Sequence, residues 1–482
     1  MKFYTHTHVR GNTVCVRGYK NGKRFVEKVE YNPTLYVPSR KTTDYQTLTG
    51  EYVEPMPMGD IKEASNFAKK YEGVENFKIY GSTKWAYVYL NEKYGNDYDV
   101  DQIKVANIDI EVASEDGFPN PELANQPVTA ICISYTHNGK KRYYVIGNGK
   151  YERSRDDVHY IDAKDEMRLL AVFLSFWEKL DPDIITGWNI EGFDIPYLVN
   201  RISKLLGEKE ARRLSPFRWI KKRELTKFNR IETLYELVGI ATLDYLHLYK
   251  KFTYSQQESY RLDHIAFVEL GERKLDYSEM ENLHQLYKLD YQKFIDYNIK
   301  DVELVDKIED KMKLIEMALA IAYDAKVNYN DTFTQVTMWD VLIHNYLMSK
   351  NIVIPPKEET IKNSAFAGAY VKEPQVGMHD WVMSFDLNSL YPHLIMQYNI
   401  SPETMVEDDY MVDVDVDDII DRKVETHPHH AMAASGRYFR KDKQGFLPEM
   451  MERMYTERKS YKKKMLEAEA ELELINKRLA QL

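Results

Sequence analysis

Cysteine is nearly absent from this sequence: its 482 residues contain two, Cys15 and Cys132. Two isolated cysteines make neither a thiolate metal motif nor a disulfide framework, and they point to a reduced compartment. No stretch approaches the roughly 18 apolar residues that a membrane-spanning helix needs. The start, Met1-Lys2-Phe3-Tyr4-Thr5, lacks the apolar core of an export signal. Positive charge is not in excess either, since 66 Lys and Arg face 76 Asp and Glu for a formal net charge of −10. That balance argues against a simple basic coat for phosphates but leaves room for a local basic track. Glycine and proline, 21 and 17 residues, are scattered. No internal repeat or low-complexity tract occurs.

What is present is an apolar fraction of 44%, enough for several cores. The length suits three or four domains at roughly 100–200 residues each. Tyrosine, at 37 residues against 18 Phe, suits half-exposed cores and could also stack on bases at a wet surface. Residues 1–103 alternate apolar and polar runs between turn signals such as Lys20-Asn21-Gly22, which predicts strands with one helix near 61–71. Residues 104–310 alternate strand-like and helix-like segments, the pattern of an α/β domain. A long helix is expected over residues 290–320, because Val305, Ile308, Met312, Ile315 and Leu319 recur at spacings of three and four. Residues 356–440 form another α/β stretch, interrupted at 407–421 by eight acidic residues in fifteen positions. Without the glycine and closing glutamate of an EF-hand, that insert reads as a solvated, self-repelling loop. The nearby His427-Pro428-His429-His430 reads as an incidental loop cluster. Residues 448–482 form one charged helix in which Leu472, Ile475, Leu479 and Leu482 mark a heptad-like seam.

Four carboxylates stand out. Val105-Ala106-Asn107-Ile108-Asp109-Ile110-Glu111-Val112 reads as a buried strand. Side chains alternate along it, so Asp109 and Glu111 share one face while Ile108, Ile110 and Val112 share the other. Two acids side by side repel unless a cation sits between them. Asp183-Ile184-Ile185-Thr186-Gly187-Trp188-Asn189 is a strand ending in a turn, and a helix starts near Asp194 with Pro196 in its first turn. Asp194 could serve as that helix's N-cap as well as a ligand. Tyr297 and Asp301, four apart on the long helix, continue its apolar stripe. A core-facing carboxylate is costly unless it is paired or bound to metal. Oxygen donors without His or Cys suit hard cations.

A second constellation begins at Val382-Met383-Ser384-Phe385-Asp386-Leu387-Asn388-Ser389-Leu390-Tyr391-Pro392. It reads as an apolar strand ending in Asp386, a tight turn, and a helix opened by proline. Gly445-Phe446-Leu447-Pro448 leads into a helix on which Arg458 and Lys462 are four apart and share a face.

Asp-x-Glu, Trp-Asn-x-x-x-Phe-Asp and Tyr-x-x-x-Asp, in this order and spacing, resemble the three exonuclease motifs of family B DNA polymerases. Asp386 to Pro392 resembles the first palm motif of that family, and residues 445–462 resemble its first fingers helix. The resemblance spans essentially the whole chain and is nearest to T-even-type phage polymerases. Tyr31-Asn32-Pro33-Thr34-Leu35-Tyr36 and Asn399-Ile400-Ser401-Pro402-Glu403-Thr404 add to it. It implies an α/β multidomain fold with a mostly-β N-terminal domain over 1–103, to which 314–356 returns. A ribonuclease H-like 3′→5′ proofreading exonuclease would follow over 104–313, then a partial palm over 357–443 and the start of the fingers over 444–482.

The resemblance also implies roles. Two Mg²⁺ ions, replaceable by Mn²⁺, would serve the exonuclease, with Asp109, Glu111 and Asp301 on the catalytic ion and Asp109 bridging to a second near Asp194. Tyr297 would orient the water or the scissile phosphate, and Lys274 would approach the phosphate. In the palm, Asp386 would bind metal, Leu387 would contribute its carbonyl, Ser389 and Leu390 would contact a dNTP triphosphate, and Tyr391 would gate the sugar. Arg458 and Lys462 would meet the triphosphate. Lys221, Lys222, Arg223 and Lys227 lie in a Lys- and Arg-rich segment that is either a DNA-contacting hairpin or a charged surface hairpin. Phe118 is the candidate stacker for a single-stranded primer end.

Neither a Lys-x-x-x-Asn-Ser-x-Tyr-Gly string nor an Asp-Thr-Asp-Ser string follows, and one carboxylate cannot hold two metals. The expectation is an exonuclease subunit of a split replicase in the cytoplasm of a bacterial host. A second chain would supply the rest of the palm, the fingers and the thumb, and through it a sliding clamp. A fragment of a longer polymerase would look the same. The competing expectation is a non-catalytic DNA-binding or assembly module, against which the four intact carboxylates weigh.

Overall fold

The computed structural model describes residues 1–74, 77–115, 117–137, 139–153, 155–227, 230–280, 282–356, 372–406, 414, 417–418, 421–424 and 427–479, and no side chains over 225–232. Most of the acidic insert at 407–421 and Leu482 lie outside the described residues. The chain divides into two compact units.

The first unit comprises Met1–Leu35, Pro55–Glu75 and Gly81–Tyr346. It opens with an antiparallel sheet of Lys2–Arg10, Thr13–Lys20 and Lys23–Glu30, joined by tight turns. The expected helix forms over Ile61–Lys70, where the Asp60 side chain accepts from the Glu63 N–H at 2.8 Å. A second helix, Trp85–Lys93, was not expected. Its aromatic run has strand-like composition, and it buries Trp85, Tyr89 and Leu90. Arg17 is buried and donates to the carbonyls of Pro182 and Asp181 at 2.8 and 3.0 Å, which ties this sheet to the segment before the strand Ile184–Thr186.

A six-stranded mixed sheet forms the centre of the unit, in the order Val158–Asp162, Lys140–Gly147, Val128–His137, Val105–Val112, Ile184–Thr186, Ala241–Thr242. The strand Val105–Val112 runs antiparallel to Val128–His137 and parallel to Ile184–Thr186. One face packs under the helices Glu166–Leu180 and Asp194–Leu205, with Ile108, Ile110, Phe173, Trp177 and Tyr197 in the core. The other face packs against the helix Tyr291–Met312 through Cys132, Val145, Phe294, Ile299 and Val302. This is the mixed sheet flanked by helices that the resemblance implies.

The expected single helix over 290–320 is two helices. Lys313 is left-handed, with φ of 56°, and a new helix runs Leu314–Ala325. The Glu309 carboxylate folds back to accept the Ile315 N–H at 3.1 Å, capping the second helix from within the first. The spacing of apolar residues passes through this break, so periodicity does not reveal it.

The second unit comprises Tyr36–Glu54, Asn76–Tyr80 and Leu347–Leu482. Its small core is Tyr36, Val53, Tyr80 and Val353, with Tyr45 and Met348 against it. Leu390–Tyr398 is a helix, and a long helix runs Phe446–Leu479. Asn399 staples the two: its Nδ2 donates to the carbonyls of Arg440 and Lys443 at 2.5 and 2.8 Å, and its Oδ1 accepts the Gly445 N–H at 2.9 Å. The strand expected before Asp386 does not form. Residues 382–387 have no regular structure, and Val382, Met383, Phe385 and Leu387 are exposed. Among the described residues no neighbouring strand pairs with this segment, and an unpaired strand leaves its backbone without a ladder.

Candidate active site

Alternation along Val105–Val112 sends Ile108 and Ile110 into one core and turns Asp109 and Glu111 to the opposite face. There the helix Tyr291–Met312 crosses and delivers Asp301. Carboxylate oxygens of Asp109, Glu111 and Asp301 all lie within 4.8 Å of one another, the one such group among the described residues. Glu111 and Asp301 are buried and Asp109 is half-buried. Burial, then the Asp109 and Asp301 charges, hold the Glu111 carboxyl well above the usual carboxylate range. Burial and Asp301 push Asp109 up to about 7. Burial also raises Asp301, although Lys274 pulls it the other way. A buried, all-oxygen trio in mutual repulsion fits a hard divalent cation.

Lys274 sits against the trio. Its Nζ donates to Asp301 Oδ2 at 2.5 Å and to Tyr297 Oη at 3.1 Å. Burial alone would lower this ammonium, but Asp301, Tyr297 and Asp109 outweigh it and the net shift is upward. Burial, then Asp301, raise the Tyr297 phenol.

Asp194 is held differently. It is the first residue of the helix Asp194–Leu205, and Phe193 occupies the cap position, so Asp194 is not the N-cap. Its Oδ1 instead accepts the Ile110 N–H at 3.0 Å. Asp194 is buried and lies outside the converging trio, yet after burial the charge of Asp109 is the largest influence raising its carboxyl. The turn that delivers it is built tightly. A Cβ on Gly187 would fall 2.4 Å from the Ile108 carbonyl oxygen. Asp244, fully buried, accepts from the Asn189 and Glu191 N–H groups at 3.0 and 2.9 Å and from the Leu246 N–H at 3.0 Å.

Asn298 and Asp244 are residues that sequence reasoning missed. Asn298 Nδ2 donates to Asp109 Oδ2 at 2.6 Å. Its position beside Tyr297 and three before Asp301 was the available signal.

Phe118 is 87% exposed, and its ring lies 5.5 Å from that of Phe193, the neighbour of Asp194. The strands Ile220–Lys227 and Arg230–Leu237 form the expected hairpin. Lys221 and Arg223 both engage Glu236, at 3.0 and 3.2 Å, and Lys222 lies 3.5 Å from Glu224. The Lys227 side chain lies outside the described residues.

In the second unit, Ser389 is left-handed at the start of Leu390–Tyr398 and its Oγ accepts from Arg458 Nη1 at 3.0 Å. His393 packs edge-on against Tyr455, 4.6 Å between ring centres. Asp386, Leu387, Leu390, Tyr391 and Lys462 are exposed, and no metal-holding cluster forms around Asp386 among the described residues.

Two family descriptions match the chain: DNA polymerase family B, exonuclease domain, over residues 74–265, and DNA polymerase family B over residues 330–481. Tyr297 and Asp301 fall between the two matched segments and join the site by geometry. The chain is 34% identical to the DNA-directed DNA polymerase of Escherichia phage RB69, covering 99% of this chain and 56% of that protein. It is 31% identical to the enzyme of the same name from Enterobacteria phage T4, at 99% and 55%. The DNA polymerase delta catalytic subunit of Dictyostelium discoideum is 27% identical over 74% of this chain. The chain thus spans about half the length of the phage relatives it matches. Among the described residues no helix is long and apolar enough to cross a membrane.

Proposed function

Because this chain belongs to DNA polymerase family B, we propose that its first unit is a 3′→5′ exonuclease that removes nucleotides from DNA primer ends. The second unit would contribute one part of a nucleotide-addition site. The observation that carries this reading is the meeting of Asp109, Glu111 and Asp301 within 4.8 Å, with Lys274 and Tyr297 against Asp301.

Asp109, Glu111 and Asp301 would hold one Mg²⁺, and Asp194 with Asp109 a second, with Mn²⁺ an acceptable substitute. Bound ions of this kind supply Lewis acidity to the attacking and leaving oxygens of a phosphodiester. The chain's own groups do the rest. Tyr297 Oη and Lys274 Nζ form a donor pair beside Asp301 that can orient a water or a non-bridging phosphate oxygen. Lys274 keeps its proton in this environment and so acts as a fixed positive charge. Phe118 and Phe193 offer ring faces for the terminal base. Lys221, Lys222, Arg223 and Lys227 would steer the strand, the ion pairs of Lys222 and Arg223 being exposed enough to exchange for phosphate.

In the second unit, Arg458, Ser389 and Leu390 would receive the triphosphate of a dNTP, with Lys462 one turn beyond Arg458. Asp386 and the Leu387 carbonyl would hold metal, and Tyr391 would meet the sugar. Nucleotide addition would require further palm, fingers and thumb segments, whether continuous with these residues or on another chain. The domain limits at 103, 313, 356 and 443 are part of the same proposal.

Labelled single-stranded DNA and primer-template tested with Mg²⁺ decide between this reading and a non-catalytic DNA-binding module. Shortening from the 3′ end, abolished by EDTA, is expected. Asp109→Ala should lose about 10⁴-fold, the order seen when one member of a concerted site is removed. Wild type and Asp109→Ala leaving the substrate equally intact, while still binding it, would favour the module. With dNTPs added, these 482 residues alone should give no extension.

A further inference from the structure

A neutral side chain is built into the carboxylate trio. Asn298 is fully buried on the helix Tyr291–Met312. Its Nδ2 donates to Asp109 Oδ2 at 2.6 Å and lies 3.3 Å from the Asp109 carbonyl oxygen. Its own Oδ1 is buried and accepts no hydrogen bond. An unpaired buried oxygen is unfavourable, and turning the amide over would set that oxygen against a carboxylate. Its donor role toward Asp109 therefore dictates the orientation of this amide.

The same strand and helix carry a matched contact elsewhere. Asn107, two residues before Asp109, donates through Nδ2 to the Val302 carbonyl at 2.9 Å and to Asp306 Oδ1 at 3.0 Å, and its Oδ1 is also unpaired. Both asparagines pin Val105–Val112 to Tyr291–Met312. Asn107 does so without touching the trio, whereas Asn298 ends on a member of it.

We propose that Asn298 is a positioning residue for the divalent-cation site. It holds Asp109 Oδ2, which leaves Oδ1 as the oxygen Asp109 presents toward a shared cation. One helical turn would then supply both a ligand, Asp301, and the brace of another ligand, Asp109. Such outer partners typically matter to metal affinity by 10–100-fold. The inference rests on the cation site proposed above.

The test uses the 482-residue protein and its Asn298→Leu, Asn298→Ser and Asn107→Leu variants. Mn²⁺ affinity is read by electron paramagnetic resonance, together with the Tm rise on adding MgCl₂ and the Mg²⁺ dependence of 3′-end removal. Both Asn298 variants should bind Mn²⁺ about 10–100-fold more weakly, the range for outer-shell partners. They should show a smaller Mg²⁺-induced Tm rise and regain most of kcat at high Mg²⁺. Asn107→Leu should lower the Tm in EDTA yet keep wild-type Mn²⁺ affinity. If Asn298→Leu does not fold, the smaller Asn298→Ser decides. Wild-type Mn²⁺ affinity in a folded Asn298 variant would overturn the proposal. So would an equal loss in Asn107→Leu, which would make strand–helix packing the cause. A wild type that binds no Mn²⁺ at all would remove the cation site itself, and the proposal with it.

Discussion

At the residue scale, the three converging acids oppose folding of the metal-free protein, and the sign can be read from Asp109. It titrates at about 7 in the fold, against about 4 in an unfolded chain. The folded state therefore binds that proton more tightly. The resulting stabilisation is complete below about pH 4 and is lost as pH rises through 7. In EDTA, this contribution should lower the wild-type Tm between about pH 4 and 7, and Asp109→Asn should flatten that part of the profile. MgCl₂ should restore more stability at the upper end of that range than at the lower. Calorimetry across the range checks this, and identical slopes for the two proteins would count against it. Asp109, Glu111 and Asp301 were legible because alternation and helical spacing are local rules. Asn298 and Asp244 were not, because a neutral amide and a helix-capping aspartate are ordinary residues until their partners are known.

At the element scale, the turn between Ile184–Thr186 and Asp194–Leu205 sets where Asp194 sits. A methyl group on Gly187 would meet the Ile108 oxygen at 2.4 Å and Ile190 Cγ2 at 2.5 Å. Gly187→Ala should cost about 1–3 kcal/mol, the usual range for overpacking. It should also weaken the proposed nuclease activity at temperatures where the variant is fully folded, because the turn moves Asp194. Denaturant unfolding and a rate measured well below Tm separate the two effects, and a wild-type unfolding curve would refute the steric argument. Helix and strand type were legible where periodicity was strong. The break at Lys313 was hidden because the apolar spacing runs through it. The strand before Asp386 was legible as a pattern but lacks a pairing partner among the described residues, and a strand needs one.

At the scale of the whole molecule, two buried histidines contribute a pH dependence of the opposite sign. His6 and His8 are buried, and burial is the main cause that holds both imidazoles neutral, His8 down to about 4. His8 packs edge-on to Phe217 at 4.5 Å, near the base of the hairpin. Their folded values lie below the ordinary value of about 6.5, so the stability they contribute is present above that pH and lost as pH falls toward 4. Burial raises Asp183, but Arg24 and Arg17 outweigh it and depress the carboxyl, which adds a loss of the same sign at lower pH. In the metal-free protein the two contributions overlap between about pH 4 and 7 and oppose one another, so each is read as the difference between wild type and its variant. His8→Asn should shrink the acid limb in a thermal melt series from about pH 7 to 4.5, and an unchanged limb would exclude His8 as its source.

The sequence by itself determined the family, the four acids and the local element that carries each, because motif spacing, strand alternation and helical period are written within short segments. Only the tertiary structure decided that Asp301 crosses over Asp109 and Glu111, that Lys274 and Tyr297 close on Asp301, that Asp194 is bound to the Ile110 N–H and not a helix cap, and that Asn298 holds one oxygen of Asp109. Each of these is a meeting of residues far apart in the chain. Their distances are set by how a helix packs on a sheet, and no local pattern records that.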